Sequence, residues 1–138
     1  MKTFRVSAML IAVLISAASC DKNDDDNSTP STLSRVQAKW GVASKVTDKA
    51  GTTAGDSTYT GVTADYMDFK TDSKVYWQLN NVKDTAAYSL TNDSTLILDG
   101  VASKITKLSS SEFVIKQTIV ATGDAAKDTT YVTFNLKK

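Results

Sequence analysis

The residues able to do chemistry in this chain are few and can be taken one at a time. There is one cysteine, Cys20, and no histidine anywhere in the 138 residues. From residue 33 onward there is a single arginine, Arg35, and a single glutamate, Glu112. A Ser–His or Cys–His nucleophile pair cannot be assembled from this set, nor can a zinc site built on imidazole or thiolate. Aspartate is what remains for acid–base work. Asp65 and Asp68 lie three positions apart, so on a strand their side chains point to opposite faces. Asp72 and Asp84 sit in turn-like sequence, where aspartate is ordinary. The acidic run Asp24, Asp25, Asp26 is a flexible oxygen cluster that would hold Ca²⁺ only loosely. The expectation is a protein that is not an enzyme and uses no metal or other cofactor.

Cys20 is the exception. Upstream of it, Lys2 and Arg5 form a short basic region and residues 8–18 read AMLIAVLISAA, an almost unbroken apolar run. A membrane-spanning helix needs about 20 apolar residues at 1.5 Å each, so this run fits the middle of a secretion signal instead. The small residues Ala17, Ala18 and Ser19 directly before the thiol resemble the lipobox of bacterial lipoproteins, in which the cysteine is acylated and the peptide is cut just before it. The resemblance implies a signal peptide over 1–19, lipidation at Cys20 and a protein held to a membrane by several acyl chains, each adding about 0.8 kcal/mol per buried CH₂. Next comes DKNDDDNSTPST, with four carboxylates and no aliphatic residue before Leu33. Such a segment buries nothing, so residues 20–32 read as a solvated tether with a reach of roughly 20 Å. Lys22 and the three aspartates after it also resemble the acidic export tag of certain Gram-negative gut anaerobes, which implies display at the surface of the outer membrane. Asp21 is a departure, since in enteric bacteria an aspartate directly after the cysteine would retain the protein at the inner membrane.

Residues 33–138 must supply the fold, and 106 residues are enough for one core without disulfides. Setting aside the three basic and four acidic residues upstream of Leu33 leaves 13 against 11. Lysines and aspartates are interleaved, with no basic stripe carrying regularly placed aromatics, so nucleic acid is not an expected partner.

From Trp40 onward the pattern has period two and is broken by Gly, Asn, Asp and Ser. It predicts eight strands, over 40–49, 63–70, 73–80, 85–91, 94–99, 102–109, 112–121 and 129–137. Val75, Trp77 and Leu79 share one face, opposite Tyr76 and Gln78; Val132, Phe134 and Leu136 oppose Tyr131, Thr133 and Asn135. Eight short antiparallel strands laid flat would leave two exposed edges. The all-β fold expected is therefore an eight-stranded up-and-down antiparallel β-barrel, with a β-sandwich as runner-up. Leu33, Val36 and Trp40 fall at helical spacing, with Ser31, Thr32 or Ser34 available as a cap, so a short N-terminal helical turn is expected, placed to plug one end with Trp40.

The order of these segments is itself a pattern: a helical turn, AKWGVASKV, the hairpin YMDFKTDSKVYWQL, then YSL, TLILDG, KITKLS and a long final hairpin. It resembles the lipocalin-like domains found in surface lipoproteins of Gram-negative anaerobes, over 33–138. In the lipocalins proper a glycine stands two positions before the tryptophan and an arginine near the end of the last strand covers it. Ala38 and Lys137 or Lys138 stand in those places here, which fits a short, shallow relative better. The resemblance implies a non-catalytic binding protein.

An eight-stranded barrel is just wide enough to be filled by its own side chains or to hold one small ligand. Met67, Phe69, Trp77, Leu79, Phe113 and Phe134, with Val75 and Ile115, are the candidate lining of a site for a small apolar or amphipathic molecule, and equally the candidates for plain core. A different class of function would use Tyr59, Tyr66, Tyr76, Tyr88 and Tyr131, expected mostly on the outer face, to stack on a glycan or pack on a protein partner. Asp56-Ser57-Thr58, Asp84-Thr85-Ala86, Asp93-Ser94-Thr95 and Asp128-Thr129-Thr130 also resemble the sequence at which these bacteria O-glycosylate exported proteins, although all four read as turns or strand starts as well.

Overall fold

The computed structural model describes residues 30–51, 54–120 and 129–138. The signal segment, Cys20 and all of the tether before Pro30 lie outside them. Nine strands follow one short helix: α1 (Thr32–Val36), β1 (Lys39–Lys49), β2 (Ser57–Thr60), β3 (Tyr66–Phe69), β4 (Lys74–Leu79), β5 (Val82–Asn92), β6 (Thr95–Leu98), β7 (Val101–Leu108), β8 (Glu112–Val120) and β9 (Thr129–Lys137). From β3 to β9 each strand pairs antiparallel with the next, β3 also pairs with β1, and β9 returns to pair with β1. The sheet thus closes into an eight-stranded up-and-down barrel, with β2 as an extra strand.

Local chemistry sets the turns. Asn80 and Asn81 both have positive φ (49° and 64°), as do Asp99 and Gly100 (51° and 76°). These are the two-residue hairpin turns whose twist matches the flanking strands, and Asn, Asp and Gly tolerate the left-handed region best. At the other end of the sheet the connections between β3 and β4, β5 and β6, and β7 and β8 are closed by short side-chain links. Asp72 accepts the Lys74 N–H at 3.0 Å, Asn92 accepts that of Ser94 at 2.9 Å, and Ser109 Oγ accepts that of Glu112 at 2.9 Å.

The barrel is closed at this second end. Ser31 caps α1 by accepting the Ser34 N–H, and the helix lays Val36, fully buried, against the strands. Arg35 donates to the Leu108 carbonyl at the end of β7. Beneath the helix lies Trp40, fully buried, whose indole N–H donates to the Val36 carbonyl at 3.1 Å. Its ring packs 5.4 Å from that of Phe113, Phe113 packs 5.7 Å from Phe69, and Phe69 meets Tyr88 edge-on at 5.2 Å. Lys138 rather than Lys137 stands over Trp40, its ammonium 4.5 Å from the ring centroid. Val75, Leu96, Ile115 and Leu136 complete this aromatic floor.

Alternation places the two clearest strands as expected: Val75 is buried with Trp77 and Leu79 against the core, and Val132, Phe134 and Leu136 are buried. Three expectations need correction. Residues 57–60, where period two predicts no strand, form β2. The fourth expected strand, over 85–91, begins earlier, at Val82. Neither Tyr88 nor Tyr59 is on the outer face: Tyr88 shares the inward parity of Ala86 and Leu90, is 4 % exposed, and can be buried because its hydroxyl donates to the Lys70 carbonyl at 2.7 Å, while Tyr59 lies opposite Lys45 with the inward parity of Phe134.

Candidate functional site

The opposite end of the barrel is built differently. The β4–β5 and β6–β7 turns lie there, together with the ends of β1 and β8, and the inward positions are less buried: Lys45, Trp77 and Leu79 are half-buried and Asp84 is exposed. A cavity of about 320 Å³ opens at this mouth, lined by Met67, Trp77, Leu79, Leu98 and Phe134, with Lys45, Asp84, Asp99 and Gln117 among its polar lining. Strand pairing explains the gathering. Met67 on β3 is opposite Trp77 on β4, Trp77 is opposite Asp84 on β5, and Phe134 on β9 is opposite Lys45 on β1. Exposed apolar side chains, Val82 on one side and Ile119 and Val120 on another, stand around the rim.

The six residues expected to line a ligand site are therefore split between two layers. Met67, Trp77, Leu79 and Phe134 border the cavity, whereas Phe69 and Phe113 lie below it in the packed floor, with Trp40. The split follows from position along the strand: side chains near the helix end are covered by α1 and by one another, whereas among the described residues nothing covers those near the mouth.

A second opening adjoins the first. β2 and β3 share one edge of β1, β3 along residues 39–41 and β2 along residues 44–47. β4 pairs with β3 but not with β2, so a slot of about 400 Å³ remains in the barrel wall between β2 and the β4–β5 hairpin. Its lining includes Thr47, Ser57, Tyr59, Asn80 and Val82, and it shares Lys45, Trp77 and Leu79 with the interior cavity. These three residues separate an apolar interior on one side from a more polar side opening on the other.

Residues 61–65 hold the slot's lower end. The register of β1 shifts between Val42 and Ser44, and this bulge faces the break between β2 and β3. Gly61 donates its N–H to the Ala43 carbonyl at 3.0 Å, and Val42 donates to the Asp65 carbonyl at 3.1 Å. The Asp65 side chain is 1 % exposed and accepts three hydrogen bonds: from the Tyr59 hydroxyl at 2.5 Å, the Val62 N–H at 2.9 Å and the Asn80 N–H at 3.0 Å. It ties β2, the strand break and the β4–β5 turn together. In the sequence alone Asp65 stands out only as half of a carboxylate pair with Asp68. Asp68 instead faces outward to Lys70, 2.8 Å away. A GVTAD turn before a strand is a local sign that Asp65 bonds to backbone, but no local sign gives its reach to Asn80.

These bonds fix the protonation of both partners. The Tyr59 hydroxyl first, then the Val62 and Asn80 N–H groups, hold the Asp65 carboxyl below its usual 3.8 against the opposing effect of burial. The same hydrogen bond, aided by burial and by the carboxylate's charge, raises the Tyr59 phenol above its usual 10.0. A carboxyl whose pKa is lower folded than unfolded contributes stability that is full above the unfolded value and is lost as pH falls through the folded one. The gap in urea midpoint between the native protein and Asp65→Asn should therefore be widest above about pH 5 and shrink toward about pH 2. A gap that stays constant across that range would show that Asp65 is not held as the anion.

The outer tyrosines are occupied. Lys39 lies 4.1 Å from the Tyr66 ring centroid, Lys116 lies 4.8 Å from that of Tyr131, and the Tyr76 hydroxyl donates to Asp72 at 2.9 Å. A larger groove of about 840 Å³ runs over the outside of the barrel along Lys39, Gly41, residues 61–65 and Lys137. Its floor is the Asp65 knot and two of its lysines, Lys39 and Lys138, stand over rings; the mouth cavity is the more enclosed and more apolar of the two, which is what small-molecule sites require. Among the described residues no three Asp, Glu, Cys or His side chains come together in a way that could hold a metal ion. Among them, too, no helix is long and apolar enough to cross a membrane. No family model, curated protein or solved structure matches the chain.

Proposed function

We propose that the protein is a non-catalytic binding module of the cell envelope, held to a membrane by lipid on Cys20, whose barrel takes a small apolar or amphipathic molecule at its mouth. The observation that carries this reading is the apolar cavity of about 320 Å³ that opens opposite the helix-plugged end, bordered by Trp77 and Phe134. The exposed Val82, Ile119 and Val120 around the rim add support, since apolar side chains grouped beside a cavity mark a surface that meets an apolar partner. The alternative, a glycan or protein held by the outer tyrosines, has less behind it, because Tyr66 and Tyr131 already carry lysines and Tyr76 is bonded to Asp72.

The test is the unfolding midpoint of the protein with and without straight-chain amphiphiles, oligosaccharides and tetrapyrroles. A ligand present at 100 times its dissociation constant adds about 2.7 kcal/mol of stability. The midpoint should rise with an amphiphile, and the rise should disappear when Trp77 is replaced by alanine. A rise with an oligosaccharide alone would overturn the choice of ligand class, and an intact mass showing residue 20 unmodified would remove the anchor.

A further inference from the structure

We infer that the ligand is an amphiphile with an anionic head, and that Lys45 is the group that receives it. This rests on the reading of the cavity as a ligand site. Lys45 follows the bulge in β1, which sets its parity: it lies opposite Phe134 on one side and Tyr59 on the other, on the inner face of the sheet. Its side chain is half-buried and its ammonium stands 5.7 Å from the Phe134 ring centroid. An inward-facing cation on a barrel wall is normally matched by a carboxylate, because taking an ammonium out of water without a partner is unfavourable. Among the described residues the ion pairs are Lys70–Asp68 and Lys107–Glu112, and Lys45 belongs to neither.

The surroundings of Lys45 divide by polarity in the way an amphiphile would require. On its interior side lie Met67, Trp77 and Phe134; on the slot side lie Thr47 and Ser57, whose hydroxyls are short-range donors. An acyl or similar chain would fill the interior, and its head would meet the ammonium and hydroxyls at the slot. Two other charges border the cavity, Asp84 and Asp99. Both are exposed at the rim, and Asp84 already accepts the Thr85 N–H at 2.7 Å. Water screens them more than the half-buried ammonium, so the charge that an incoming head would find least screened is positive.

Three probes of equal chain length separate the head from the tail: decanoate, decanol and decyltrimethylammonium, titrated calorimetrically into the protein and into Lys45→Met and Lys45→Arg variants. Decanoate should bind the native protein at least about tenfold more tightly than decanol, the size of one charge-assisted hydrogen bond in a partly desolvated site. Lys45→Met should bring decanoate down to about the affinity that decanol has in the same variant; Lys45→Arg should keep most of the advantage. Equal affinity for decanoate and decanol in the native protein would overturn the assignment of the head while leaving the cavity reading standing. So would an advantage for decanoate that survives in Lys45→Met. Tightest binding of decyltrimethylammonium would give the head to Asp84 and Asp99 and overturn the inference equally. Binding of none of the three would overturn the inference and the reading beneath it together.

Discussion

Replacing Gly61 by alanine should lower the stability of the protein by more than about 3 kcal/mol, the upper end of what overpacking usually costs. An alanine Cβ at this position would stand 1.8 Å from the Val42 carbonyl oxygen and 2.7 Å from its carbon. Both atoms are backbone, in a strand paired on both sides, so neither can swing away as the end of a flexible side chain would. Relief requires residue 61 to retreat from β1. That movement breaks its N–H bond to Ala43 and pulls on the Asp65 knot four residues on. Gly41 provides the control at the same crossing. A Cβ there would meet only the Lys137 carbonyl oxygen at 3.5 Å and the Asp65 carbonyl oxygen at 4.0 Å, ordinary contacts. Gly41→Ala should therefore change stability by less than about 1 kcal/mol, with the smaller entropy of the unfolded alanine chain working in its favour. Urea unfolding of the two variants side by side is the measurement. Similar losses for both would mean that the close approach at Gly61 is not what fixes β2 against β1.

That approach also explains what the sequence concealed. Period two was a good guide wherever a strand had a buried face along its whole length, as in β4 and β9, and there the inward residues were identified one by one. It failed for Ser57–Thr60, which has only Tyr59 to mark a face. β2 forms for reasons that lie elsewhere in the chain: the bulge at Ala43, the absence of a side chain at residue 61, and a carboxylate at Asp65 waiting for the Tyr59 hydroxyl. None of these is a periodic signal. Tyr88 was misplaced for another reason. Its residue type grouped it with the other tyrosines, while its parity with Ala86 and Leu90 pointed inward, and the Lys70 carbonyl needed to satisfy its hydroxyl is eighteen positions away. Residue type gave way to period.

The candidate site was legible by face but not by depth. Alternation says that Phe69, Trp77, Phe113 and Phe134 point inward, and they do. Which of them are roofed depends on where along the barrel axis the helix lies, and that is set by long-range contacts such as Arg35 with Leu108 and Trp40 with Phe113. Lys45 escaped notice because the bulge two residues before it reverses its parity. Counted from Trp40 without the bulge, it points to solvent.

The helix-capped floor makes a second strong demand on one residue. Trp40→Ala should destabilise the protein by about 3–5 kcal/mol, the range for truncating a large buried aromatic to alanine. Trp40 is fully buried, and its removal leaves a void bounded by Phe113 and by α1, a helix of five residues too short to hold its place without the ring beneath it. The Val36 carbonyl loses its indole donor in the same step, and Lys138 loses the ring face over which its ammonium sits. Against a total of about 5–15 kcal/mol for a domain of this size, this is a large share, and at roughly 4–8 °C per kcal/mol the thermal midpoint should fall by about 12–40 °C. Trp40→Phe should lose distinctly less, because a ring still fills most of the volume and only the indole donor and the outer edge are missing. Thermal and urea unfolding of the two variants measure this directly. The mouth, on the far side of the packed layer of Phe69 and Phe113, should still bind amphiphile when the alanine variant is held well below its midpoint. A loss under about 1 kcal/mol for Trp40→Ala would mean that the floor does not depend on this ring, and the barrel's closed end would then have to be held by the strand hydrogen bonds alone.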